Sequence, residues 1–108
     1  MKQMELRLAV ADDHDIVRRG LRDLLEQQVR WKVVAEAANG KEAVEMVLKT
    51  KPDVTVLDIQ MPLINGLEAA KQILKSGSKT RILMLITIGR LLHLEPVLCF
   101  LENSGPWT

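Results

Sequence analysis

Four short apolar segments, at 6–11, 32–37, 53–58 and 82–87, recur along this chain, and stretches of helical spacing separate them. None of the four shows the polar alternation of a strand with one wet face. The third, DVTVLD, is rich in β-branched residues, as buried strands are. Between them, Val17, Leu21, Leu24, Leu25 and Gln28 form one helical stripe. Ala43, Val44, Val47 and Leu48 form a second, and Leu67, Ala70, Ile73 and Leu74 a third. Breaks fall where they should: NG at 39–40, Pro52, QMPLING at 60–66 and KSGSKT at 75–80. The order β-α-β-α-β-α-β, with strands buried on both faces, predicts a doubly wound α/β fold around a parallel sheet.

Composition narrows the function classes. A chain of 108 residues with 47% hydrophobic and 27% charged residues has enough apolar material for one core and reads as globular. A net charge of +1 offers no basic surface, so direct nucleic-acid binding by this chain is not expected. The single cysteine, Cys99, cannot form a disulfide within the chain. Charges interrupt the N-terminal apolar run, and no stretch reaches the roughly 20 apolar residues of a membrane span. These features predict a cytoplasmic protein with no membrane partner.

The chemistry gathers at strand ends. In doubly wound sheets ligands bind beyond the carboxyl ends of the strands, and Asp12, Asp13 and Asp58 all stand at such ends. Two like charges about 4 Å apart cost on the order of 4 kcal/mol at an effective dielectric near 20. Such a cluster needs protons or a cation, and a hard divalent ion such as Mg²⁺ suits an all-oxygen site. A carboxylate beside bound Mg²⁺ can also attack phosphorus and become an aspartyl phosphate. A plainer reading stands beside this one. Asp13 or Asp15 could cap the helix beginning near His14, and Asp58 could be an ordinary strand-end acid. His14 itself reads as a polar surface residue, and His93 has no partner visible in the sequence.

The runs VADDHDIVRRGLRDLLE, VVAEAANGKEAVE and KPDVTVLDIQMPLINGLEAAKQI closely resemble the receiver domain of two-component response regulators. Their flavour is that of the branch usually joined to a LuxR-type DNA-binding domain. The resemblance covers roughly residues 5 to 85. It implies a flavodoxin/CheY-like fold, phosphoryl transfer from a sensor histidine kinase, and a requirement for Mg²⁺. Carried over position by position, it makes Asp58 the phosphoacceptor. Asp13 and Asp58 become direct metal carboxylates, Asp12 contributes, and the backbone carbonyl of Gln60 is a further ligand. Met61 and Pro62 then shape the neighbouring loop, and Gly66 permits the turn into the third helix.

The resemblance fails after the fourth strand. Its switch hydroxyl should close that strand, but Ile86 occupies the position and Thr87 comes one residue late. A one-residue shift turns a strand side chain to the other face, so Thr87 serves if the strand end bulges or the preceding loop absorbs the offset. The family's lysine on the fifth strand has no counterpart, since none follows Lys79. The chain thus divides into a receiver core at 1–87 and a divergent tail at 88–108. The tail reads GRLLHLEPVLCFLENSGPWT from Gly89 and suggests a fifth strand at VLCFL or a short helix through Leu91, Leu92 and Leu94. Such a break in composition is what a shifted reading frame produces, the alternative being a short divergent receiver. Exposed, it would favour a homodimer or strand-exchanged dimer.

Competing functions are a pseudo-receiver or truncated remnant acting only as an interaction module, and a phosphohydrolase with an aspartyl-phosphate intermediate. The missing lysine favours the former. The latter lacks a second acid, because Ile59 and Gln60 follow Asp58. Neither a G-x-x-x-x-G-K-[ST] nor a G-x-G-x-x-G run supports nucleotide binding. An acceptor module rather than a turnover enzyme is the expected class.

Overall fold

The computed structural model describes residues 5–88 and 95–101, with side chains over 5–85. In chain order the elements are β1 (Leu6–Ala11), α1 (Asp15–Leu25), β2 (Trp31–Ala37) and α2 (Gly40–Thr50). They continue with β3 (Val54–Asp58), α3 (Gly66–Lys75), β4 (Arg81–Ile88) and β5 (Glu95–Leu101). Local chemistry sets several of these boundaries. Asn39 and Asn65 precede α2 and α3, and their side chains accept the N–H groups of Glu42 and Glu68, each at 2.8 Å. Glu42 also reaches back to the Ala38 N–H at 3.2 Å, tying the residue before the cap to the first turn. Helix α2 ends on Lys51, which takes a left-handed conformation (φ 51°) just before Pro52.

The strands form one sheet in the order β2-β1-β3-β4-β5. β1 runs parallel to both β2 and β3, and β3 parallel to β4. Helices cover both faces, as the sequence pattern predicts. On one side Ala9, Ala11, Leu57, Ile82 and Met84 pack with Ala43, Val47, Ala69, Ala70 and Ile73 of α2 and α3. On the other, Leu8, Val10, Val33, Val56 and Leu85 meet Val17, Leu21 and Leu25 of α1. The chain moves outward from β1 to β2, then returns to the other side of β1 as β3. This reversal opens a crevice at the carboxyl ends of β1 and β3, which is where such sheets bind ligands.

A doubly wound parallel sheet leads to the expectation of a parallel fifth strand, whereas β5 is antiparallel to β4, with Ile88 opposite Glu95 and Ile82 opposite Leu101. Connection length explains the reversal. A parallel return needs a crossover of about a dozen residues or more, and only residues 89–94 separate the two strands. Of the two forms suggested for the tail, Glu95–Leu101 is a strand; Leu91, Leu92, His93 and Leu94 lie outside the described residues. Among the described residues no helix is long and apolar enough to cross a membrane.

One buried polar pair joins β3 to the residue just before β4. Thr55 and Thr80 are buried and share a 2.8 Å bond between hydroxyls. Thr55→Val leaves the Thr80 hydroxyl without that partner, and the expected cost is about 1–3 kcal/mol in urea denaturation. Replacing both by valine should recover part of the loss. Equal stability of Thr55→Val and the parent would show that the bond contributes nothing.

Candidate acidic metal site

The site is assembled by strand register. Ala11 pairs with Leu57, so the next residues, Asp12 and Asp58, emerge side by side at the crevice. Asp12 is 1% exposed and its N–H donates to the Ala37 carbonyl at 3.0 Å, extending the ladder past the end of β1. Asp58 is the last residue of β3 and is 4% exposed. Beyond it, the Ile59 N–H donates to the Leu85 carbonyl (3.1 Å), and the Gly66 N–H returns to the Ile59 carbonyl (2.7 Å). The start of α3 is thereby tied directly to the strand that carries Asp58.

Neither Asp13 nor Asp15 caps α1, which corrects the plainer reading. The cap position is His14, and no side chain bonds to the first turn there. Asp12 instead accepts the His14 N–H at 2.8 Å. Asp15 pairs with Arg18 at 2.6 Å, one turn along the helix. Arg18 also donates to the Asp12 carbonyl at 2.7 Å and to Glu36 at 3.2 Å, so one guanidinium clamps the end of β1 to β2. Arg22 holds the same Glu36 at 2.7 Å. Sequence reading missed this clamp; the only signal was Arg18 falling one helical turn after Asp15.

One ligand atom from each of Asp12, Asp13, His14 and Asp58 lies within 4.8 Å of the others. Burial pushes the Asp58 carboxyl up to about 6, and the charges on Asp12 and Asp13 push the same way. The Gln60 N–H, 3.2 Å from Asp58 Oδ1, and the nearby His14 oppose that rise. The site therefore carries more negative charge than its own hydrogen bonds offset. A small oxygen-seeking cation would relieve this, and the donor set of three carboxylates fits one. Thr87 lies in β4 two residues beyond Leu85, the partner of Asp58, and its side chain falls outside the described residues.

Residues 8–90 match the model of the response regulator receiver domain. The chain belongs to that family. Receiver domains are the phosphoacceptor modules of two-component signalling, and this chain is one of them. The transcriptional regulatory protein YxjL of Bacillus subtilis (strain 168) is 39% identical over 87 residues, which make up 81% of this chain and 40% of that protein. Among solved structures, the response regulator domain of Thermotoga maritima CheB aligns with a TM-score of 0.74 at 41% identity, covering 80% of this chain and 63% of that one. The receiver domain of the response regulator NarL from Mycobacterium tuberculosis aligns with a TM-score of 0.77 at 31% identity, covering 82% and 71%. The receiver spans under half the length of the curated regulators it matches.

Proposed function

We propose that Asp58 of this receiver accepts a phosphoryl group in a Mg²⁺-dependent reaction. The observation that carries the assignment is a buried carboxylate at the end of β3, set against Asp12 and Asp13, with a raised pKa and one backbone hydrogen bond. Asp13 and Asp58 would hold the ion directly, with Asp12 contributing and the backbone carbonyl of Gln60 as a further ligand. When bound, Mg²⁺ neutralises charge on the carboxylates and on the phosphoryl oxygens. Asp58 must be ionised to attack, which a neutral pH above its raised pKa ensures. A carboxylate oxygen of Asp58 forms the new bond to phosphorus as the bond from phosphorus to the donor breaks. With a sensor histidine kinase the leaving group is its histidine; with acetyl phosphate it is acetate.

Around this centre, Thr87 is the candidate switch hydroxyl, and no lysine follows Lys79 in the sequence to serve as the family lysine. Residues 1–87 are the acceptor core and 88–108 a divergent tail, whose strand β5 pairs with β4. The module is an acceptor rather than a turnover enzyme, works in the cytoplasm, and belongs to a transcription-regulating pathway without itself binding DNA. Self-association as a homodimer, or by strand exchange, is a further expected property of the tail.

Intact-protein mass after incubation with Mg²⁺ and acetyl phosphate tests the assignment. The parent should gain one phosphoryl group, Asp58→Asn none, and the parent without Mg²⁺ none. A phosphorylated species in the variant, or an unchanged mass in a folded parent, overturns it.

A further inference from the structure

Residues 37–40, which lead from β2 into α2, meet both halves of the acidic site without supplying a carboxylate to it. At one end the Ala37 carbonyl accepts the Asp12 N–H at 3.0 Å. At the other, the buried Gly40 lies against the loop that follows Asp58, and its N–H reaches the Pro62 carbonyl at 3.5 Å. A Cβ on Gly40 would overlap the carbonyl oxygen of Ile64, and would stand 2.6 Å from its carbonyl carbon and 3.0 Å from its Cβ. No positive φ calls for glycine here, so the requirement is space alone. Between the two ends, Asn39 caps α2 and Glu42 holds the Ala38 N–H, which fixes the segment locally.

The loop it meets, residues 59–65, carries the Gln60 carbonyl. Its first part is anchored by the bond from the Ile59 N–H to Leu85 and by the buried Met61. Its second part has less beneath it: Pro62 and Leu63 are exposed, Leu63 takes a left-handed φ of 70°, and Ile64 is half-buried. That second part is where the backbone rests on Gly40. We infer that Gly40 is a positioning residue for phosphoryl acceptance: its missing side chain lets the start of α2 seat on the Ile64 carbonyl, which holds the Gln60 loop in place beside Asp12 and Asp58. Residues 37–40 act as a strut, with Asp12 bound at one end and the loop seated at the other. The inference rests on the reading of Asp58 as acceptor and the Gln60 carbonyl as a metal ligand. It adds a residue that touches neither the ion nor the phosphoryl group. Transfer depends on alignment, and a misplacement of about 1 Å can cost about a hundredfold in rate.

The test compares the full chain with Gly40→Ala and with Val47→Ala. Val47 is a buried residue of the same helix, but it lines the cleft at the amino ends of β3 and β4, not the loop. Mg²⁺ affinity, and the rate of acceptance from acetyl phosphate at saturating Mg²⁺, are measured where circular dichroism shows all three folded. Gly40→Ala should bind Mg²⁺ about tenfold more weakly and accept at least about tenfold more slowly. Val47→Ala should stay within about twofold of the parent in both, although urea unfolds it more easily. A second measurement needs no variant: in a Mg²⁺ titration of the parent followed by amide NMR, the Gly40 resonance should shift with the same midpoint as that of Gln60. Parental affinity and rate in Gly40→Ala, an equal loss in Val47→Ala, or a Gly40 resonance indifferent to Mg²⁺ overturns the inference alone. A parent that takes no phosphoryl group overturns the phosphoacceptor reading and the inference with it.

Discussion

Asp58→Asn is expected to be more stable than the parent at neutral pH in the absence of divalent cations, although on the proposed assignment it no longer accepts a phosphoryl group. Burial and the neighbouring carboxylates raise the Asp58 pKa from 3.8 to about 6 in the folded chain. Between these values the folded state binds more protons than the unfolded state, so stability falls as pH rises and levels off above about 6. The full shift corresponds to as much as about 3 kcal/mol, and solvent at the mouth of the site reduces this to roughly 2. Asparagine cannot ionise, so the variant should lack this slope. For a domain of this size about 2 kcal/mol is a rise in Tm of roughly 10 °C. Urea denaturation of both proteins at pH 4, 6 and 7.5 should show a gap that is widest at pH 7.5 and nearly closed at pH 4. Saturating Mg²⁺ should narrow the gap at pH 7.5, because the cation removes the repulsion that asparagine removes by substitution. Equal stability at pH 7.5 without metal would mean that the ionised Asp58 costs the fold nothing, and the electrostatic case for a cation would fall with it.

How much of this was legible in the sequence depended on whether a feature is periodic or geometric. The stripes through Val17, Leu21 and Leu25, and through Ala43 and Val47, turned out to be the surfaces that cover opposite faces of the sheet. Apolar runs ending in Asp12 and Asp58 were enough to bring those acids together, because parallel strands of a doubly wound sheet end on one side. Side-chain direction was not legible. Nothing in DDHD tells whether His14 turns toward solvent or toward Asp12 and Asp13, and local hydrogen bonding at the helix start settles it. Arg18 lay hidden for a similar reason: its partners Asp12 and Glu36 sit on different strands, and only the β1–β2 pairing brings them together. The reversal of β5 follows from the length of residues 89–94. That length can be counted beforehand only if the last strand is already recognised, and Pro96 obscured it.

Gly66→Ala should be among the most damaging single substitutions in the core, and it should weaken the metal site with the fold. The reason is space rather than backbone conformation. A Cβ at Gly66 would overlap the carbonyl oxygen of Asp58, and would lie 2.8 Å from its carbonyl carbon and 2.9 Å from the Ile59 Cα. These are backbone atoms and cannot swing aside as a flexible side chain would. Either α3 backs away, breaking the 2.7 Å bond from the Gly66 N–H to the Ile59 carbonyl, or the end of β3 shifts and takes Asp58 with it. Forcing volume into a packed core costs about 1–3 kcal/mol, and a backbone clash belongs at or above the upper end. Gly20 provides the control. It lies within α1 with nothing within 4 Å of a Cβ, so Gly20→Ala should stabilise the chain by about 0.5–1 kcal/mol. Urea denaturation would rank the three proteins, and Mg²⁺ titration of Gly66→Ala under conditions where it remains folded should give weaker binding than the parent. If Gly66→Ala matched the parent in both, the contact between the start of α3 and the end of β3 could not be what holds Asp58 against Asp12.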